Sequence, residues 1–158
     1  MYNLNIVLLD LNGLLKEKGV RILYSENVYV EVPKEEIDIV NPVNVNLEFT
    51  NTGDGLWMQG KIVANVHLNC SRCLENYVGQ IVAVVEERLK KQSDVEEDDI
   101  VYEIDEHGNL DLTEVIRQSL IMNIPIKTLC SESCDGIEIE EVKKLIDPRL
   151  EKLKQIKL

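Results

Sequence analysis

The chain has 158 residues, with 17 Lys and Arg against 29 Asp and Glu, a formal net charge of -12 and a pI near 4.6. That sign excludes a protein that coats nucleic acid with a broad basic face, because affinity gained by neutralising phosphates needs cations. Any RNA contact must be local or must pass through a basic partner protein.

Taken in order, Met1 to Leu9 mixes apolar and polar residues as a first strand would, and Asp10 caps a short helix over 11–16 that Gly19 stops. From Arg21 to Val32, residues Val28, Val30 and Val32 alternate with Asn27, Tyr29 and Glu31, predicting a half-buried strand that ends at Pro33. Val43, Val45, Leu47 and Phe49 give the next strand, and Asn51-Thr52-Gly53-Asp54-Gly55 supplies a turn. The following run places Met58, Gly60, Ile62, Ala64, Val66, Leu68 and Cys70 on one face. Tyr77 to Leu89 then returns antiparallel, so that Cys70-Ser71-Arg72-Cys73 is the tip of a long hairpin.

Residues 90–106 hold eight acids against two bases, which predicts an extended, solvated acidic loop with strand alternation only from Ile100 to Ile104. His107-Gly108-Asn109 reads as a turn. Asp111 and Glu114 then open a helix over 112–122 that stops before Pro125. A second cysteine pair, Cys130 and Cys134, precedes Asp135-Gly136. In the tail, Asp147 and Pro148 suit a helix start, and six bases against two acids over 142–158 make the chain's basic cluster. The whole predicts a single α+β domain over 1–158: mostly antiparallel sheet with a long hairpin, one mid-chain helix and a C-terminal helix.

No basic n-region with an apolar core opens the chain, and no apolar run approaches the roughly 18 residues of a membrane span. A cytoplasmic protein is expected, and there thiols stay reduced. Paired cysteines in that setting serve metal or redox chemistry more often than a disulfide framework. Two pairs with no fifth cysteine fit a tetrahedral metal site formed by Cys70, Cys73, Cys130 and Cys134. A filled thiolate shell leaves no place for an activated water, so the metal, zinc by the softness of its ligands, is expected to be structural. The alternative is a dithiol redox or metal-handling protein using Cys70 and Cys73, although the pair ends a strand rather than opening a helix. His67 falls on the face opposite Cys70. His67 and His107 are the two histidines, neither with a nucleophile beside it, and no Gly-rich phosphate loop appears, so an enzyme is not expected.

Cys70-x-Arg72-Cys73-Leu74, the acidic stretch, Gly108-x-x-Asp111-Leu112, Ile124-Pro125 with Leu129-Cys130, Cys134-x-Gly136 and Asp147-Pro148-Arg149-Leu150-x-x-Leu153 follow one another in an order that resembles the bacterial YceD family, the large ribosomal RNA subunit accumulation proteins. The resemblance implies a role in 23S rRNA accumulation or processing during large-subunit assembly. Many relatives carry a further Cys-Pro-x-Cys-Gly turn after the second pair. Here Gly136 runs through Ile137-Glu138-Ile139 without one, which leaves the four cysteines as the shell. The expected partners are ribosomal RNA, met by Arg72, Lys143, Lys144, Arg149, Lys152 and Lys154, or a basic ribosomal protein of the large subunit, met by the acidic loop.

Overall fold

The structure, a computed structural model, describes residues 6–138 and Arg149. Strand dominates. The strands are β1 (Leu8–Asp10), β2 (Arg21–Val28), β3 (Asp38–Asn51), β4 (Leu56–Asn69), β5 (Asn76–Lys91), β6 (Tyr102–Ile104) and β7 (Asn109–Asp111), and the helices are α1 (Asn12–Leu15) and α2 (Leu112–Met122). They form one seven-stranded sheet in the order β1-β7-β6-β5-β4-β3-β2.

The α+β expectation is therefore corrected. The fold is mostly β, and the sheet is mixed, because β6 runs parallel to β5 with Leu89 facing Tyr102 and Lys91 facing Ile104. The residues between β5 and β6 carry the chain back rather than reversing it in a tight turn, so β6 lies alongside the end of β5 in the same direction. α1 is a single turn whose N-cap, Leu11, offers no capping side chain. The expected C-terminal helix lies outside the described residues.

The alternation of β3, β4 and β5 sends one row of side chains inward. Phe49, Met58, Ile62, Val66, Ala83 and Leu89 are all buried on that side, and α2 covers it with Leu112, Val115, Ile116 and Leu120. Asp111 accepts a hydrogen bond from the Glu114 N–H, which satisfies one of the free donors at the start of α2. Each of these fully buried side chains larger than that of Ala83 contributes about 1.5–3 kcal/mol relative to exposure. The other face is open among the described residues, with Leu23, Val82 and Val84 exposed on it.

β2 ends at Val28, four residues before the expected Val32, for a local reason. β3 is irregular between Val40 and Asn44, and the Asn41 side chain occupies both backbone groups of Val30, accepting from its N–H at 2.9 Å and donating to its carbonyl at 2.8 Å. Val30 is thus buried and satisfied without a ladder. β4 pairs with β5 along its own full length, from Leu56 opposite Leu89 to Asn69 opposite Asn76, and the turn between them carries the first cysteine pair. Among the described residues no helix is long and apolar enough to cross a membrane.

Candidate metal centre

Cys70 follows β4 directly and takes the inward position its alternation dictates; it is fully buried. The turn after it is closed by two hydrogen bonds: Cys70 N–H donates to Glu75 O at 2.9 Å, and Leu74 N–H donates to Cys70 O at 3.0 Å. Leu74 takes φ +61 to complete that turn. The Arg72 N–H points at Cys70 Sγ at 3.4 Å, so backbone donors already face the sulfur. The second pair arrives from the segment after α2, where Cys134 N–H donates to Ser131 O at 3.3 Å and Gly136 takes φ +88.

All four sulfurs lie within 4.8 Å of one another. Cys70 and Cys134 are 3.8 Å apart, and so are Cys73 and Cys130. Those separations exceed any disulfide, which needs about 2.05 Å, and all four cysteines are free. They equal the edge of a tetrahedron drawn around one ion with metal–sulfur bonds of about 2.3 Å, which is about 3.8 Å. Four cysteines, each giving one sulfur, can hold one metal ion.

The proton affinities of the cluster say the same thing chemically. The Cys73 N–H above all, with those of Cys130 and Arg72, lowers the Cys70 thiol to about 6. The Glu75 N–H pulls Cys73 down, but burial and the neighbouring thiols Cys70 and Cys134 outweigh it and the pKa is raised. Cys130 is pushed up to about 12 by Cys134 and then Cys70. Thiols this close cannot all ionise against one another; a cation among them removes the conflict.

The sequence named the four cysteines that cluster but missed what holds the two turns together. Ser71 N–H donates to Thr128 O at 2.8 Å, and Thr128 Oγ1 donates to Asn69 O at 2.5 Å. Arg72 Nη1 donates to Cys134 O at 2.8 Å and to Glu132 O at 3.3 Å. The guanidinium that charge alone assigned to RNA thus spans the two cysteine turns. His67 is exposed on the open face, opposite Asp38 and Val78. Arg149 is exposed, and Lys143, Lys144, Lys152 and Lys154 lie outside the described residues.

Of the acidic segment, Asp99 is anchored. It takes a 2.8 Å hydrogen bond from Lys90 Nζ and a 3.1 Å bond from the Glu96 N–H, and it is held below the usual carboxylate value chiefly by Lys90. Ile100 beside it is almost fully exposed.

Residues 58–157, more than half of the chain and including both cysteine turns, match the family described as "Large ribosomal RNA subunit accumulation protein YceD". The chain belongs to the YceD family. No curated protein and no solved structure matches it. The family match begins inside β4, so β1, α1, β2 and β3 lie before it.

Proposed function

We propose that this YceD-family protein is a non-enzymatic, cytoplasmic ribosome-assembly factor that supports 23S rRNA accumulation or processing. The observation that carries the reading is the family match across both cysteine turns. Cys70, Cys73, Cys130 and Cys134 hold a structural zinc ion, which four soft thiolates favour. The metal supplies closure: it ties the chain after α2 to the tip of the β4–β5 pair. The protein's own hydrogen bonds from Ser71, Arg72 and Thr128 orient that closure. The acidic segment then faces a basic ribosomal protein of the large subunit, and the basic tail faces rRNA.

The lowered pKa of Cys70 favours a second reading, dithiol exchange at Cys70 and Cys73. It requires attack by a sulfur that is fully buried, whereas Cys130 is the exposed member of the cluster. Depletion of the protein followed by 23S rRNA and subunit profiling tests the assembly reading. Accumulating precursors or a reduced large-subunit peak are expected, and an unchanged profile overturns it.

A further inference from the structure

β5 is paired on one side only over most of its length. Residues 76–89 face β4, whereas β6 lies beside Leu89, Lys90 and Lys91 alone. From Asn76 to Arg88 the side of β5 turned away from β4 therefore has no strand against it among the described residues. In an antiparallel pair alternate residues point their N–H and C=O groups away from the partner, so this stretch presents a row of unused backbone donors and acceptors. α2 packs on the inner face and does not take that place. The chain after it makes its backbone bond to the cysteine turn, where Thr128 O accepts from Ser71 N–H.

The sequence of this edge does not defend it. Asn76 to Val85 is ten residues without a charge or a proline, and the ladder to β4 runs through it unbroken. Charges, prolines, bulges and short length are the means by which sheet edges avoid pairing with other chains. The two outermost strands use them: β1 is three residues long, and β2 carries Arg21 and Glu26. Val78, Val82 and Val84 are exposed on the open face along the free edge, so a strand laid there gains apolar contact as well as hydrogen bonds.

Charge selects the kind of strand. β6 runs parallel to β5 with Tyr102 beside Leu89, so the residues leading into β6 stand where the free edge ends. Over 86–103 there are eight acids against three bases, and two of those bases are tied to acids, Arg88 to Asp54 at 3.4 Å and Lys90 to Asp99 at 2.8 Å. Glu86, Glu96, Glu97, Asp98 and Glu103 are exposed. An acidic segment or an RNA phosphate is repelled there, and a cationic segment is attracted.

We propose that an extended, basic segment of a partner protein adds as a strand to the free edge of β5, its alternate apolar residues beside Val78, Val82 and Val84 and its lysines or arginines at the acidic end. The inference rests on the assembly reading, in which the partner is a basic protein of the large subunit, and gives that contact its surface. The backbone ladder supplies affinity, and the acids supply the choice of partner. A second copy of the chain, itself of net charge -12, is disfavoured.

Edge pairing is read amide by amide. Hydrogen exchange of the full chain is followed with two fluorescein-labelled ten-residue peptides that alternate valine and threonine, one ending in three lysines and the other beginning with them; anisotropy gives the affinity. In the free chain roughly half of the amides of 76–88, those facing away from β4, should exchange fast. One lysine peptide, its order reporting the strand direction, is expected to bind and at saturation to slow them at least ~10-fold. Peptides with glutamate for lysine, and a short oligouridylate, are expected not to. Val82→Lys combined with Val84→Lys should weaken binding at least ~10-fold by like charge. Glu86→Gln with Glu103→Gln should weaken it roughly 2- to 30-fold. Leu23→Lys, an exposed change on β2 across the same face, should stay within about twofold. No binding by either lysine peptide, equal binding by the glutamate peptides, or oligouridylate slowing the same amides would overturn the proposal. So would edge amides already slow in the free chain, covered by its own tail or, where protection rises with protein concentration, by a second copy. These failures leave the assembly reading standing, because that is decided by the 23S rRNA profile of the depleted strain.

Discussion

Arg72 Nη1 donates to the carbonyl of Cys134 at 2.8 Å, joining the two cysteine turns across 62 residues of sequence. A side chain beside one pair of sulfurs thus fixes the backbone that carries the other. Partners of this kind orient metal ligands, and their loss typically costs 10- to 100-fold in metal affinity.

Arg72→Ala should therefore weaken zinc binding by roughly 10- to 100-fold while leaving all four sulfurs in place. Competition against a chromogenic chelator measures this. Arg72→Lys should recover little, because the lysine nitrogen sits one bond short of Nη1, the single atom that donates to both carbonyls. An Ala variant with wild-type affinity would show that the sulfurs position themselves.

The anchoring of the acidic segment is pH-dependent in a definite direction. Lys90 lowers the Asp99 pKa from its ordinary 3.8, and Asp99 in turn raises that of Lys90 above 10.5. A depressed carboxylate contributes stability that is fully present above its unfolded pKa and is lost as pH falls through the folded one. A raised lysine contributes below its unfolded pKa and loses that as pH rises through the folded one. The tie is thus complete between about pH 4 and pH 10. Asp99→Asn at neutral pH, and wild type brought well below pH 4, should both lower the protection of the Glu96 amide, taken against its intrinsic exchange rate at the same pH, because its N–H bonds to Asp99. Exchange rates matching wild type at neutral pH in the variant would contradict this.

Gly60 sits mid-strand in β4 with φ +154, and a Cβ there would stand 2.0 Å from the Asn46 carbonyl oxygen of β3. That neighbour is backbone in a ladder and cannot move aside cheaply. Gly60→Ala should destabilise the protein by more than about 1–3 kcal/mol, since steric overlap adds to the strain of the dihedral. Chemical denaturation provides the number.

Phe49 is fully buried on β3. Its truncation to Ala removes apolar contact and leaves a cavity, with an expected loss of about 3–5 kcal/mol in the same experiment. A loss below about 1 kcal/mol would mean the core collapses around the gap.

Much of the central sheet was legible because β3, β4 and β5 alternate with period two over long runs, from Val43 to Phe49 and from Met58 to Val66. The cluster of four cysteines was legible for a different reason: two closely spaced pairs need only a chain long enough to bring them together. What stayed hidden depends on pairing between distant segments. The alternation from Ile100 to Ile104 marks β6 but not its parallel pairing of Tyr102 with Leu89, and β7, three residues long and too short for a period, exists through the pairing of Asn109 with Asp10. The free edge of β5 is likewise a product of that pairing. Charge could not tell whether Arg72 reaches outward or back to Cys134, because both place an arginine beside a cysteine turn.

The most direct test of the central claim is metal stoichiometry by elemental analysis of native protein, repeated on Cys70→Ser and Cys130→Ser. Cys130 is exposed, so its replacement leaves the core untouched even if that of the buried Cys70 does not. One zinc per chain is expected in the native protein, and its loss in both variants. Full retention of the metal in both would contradict a site shared by the two cysteine turns.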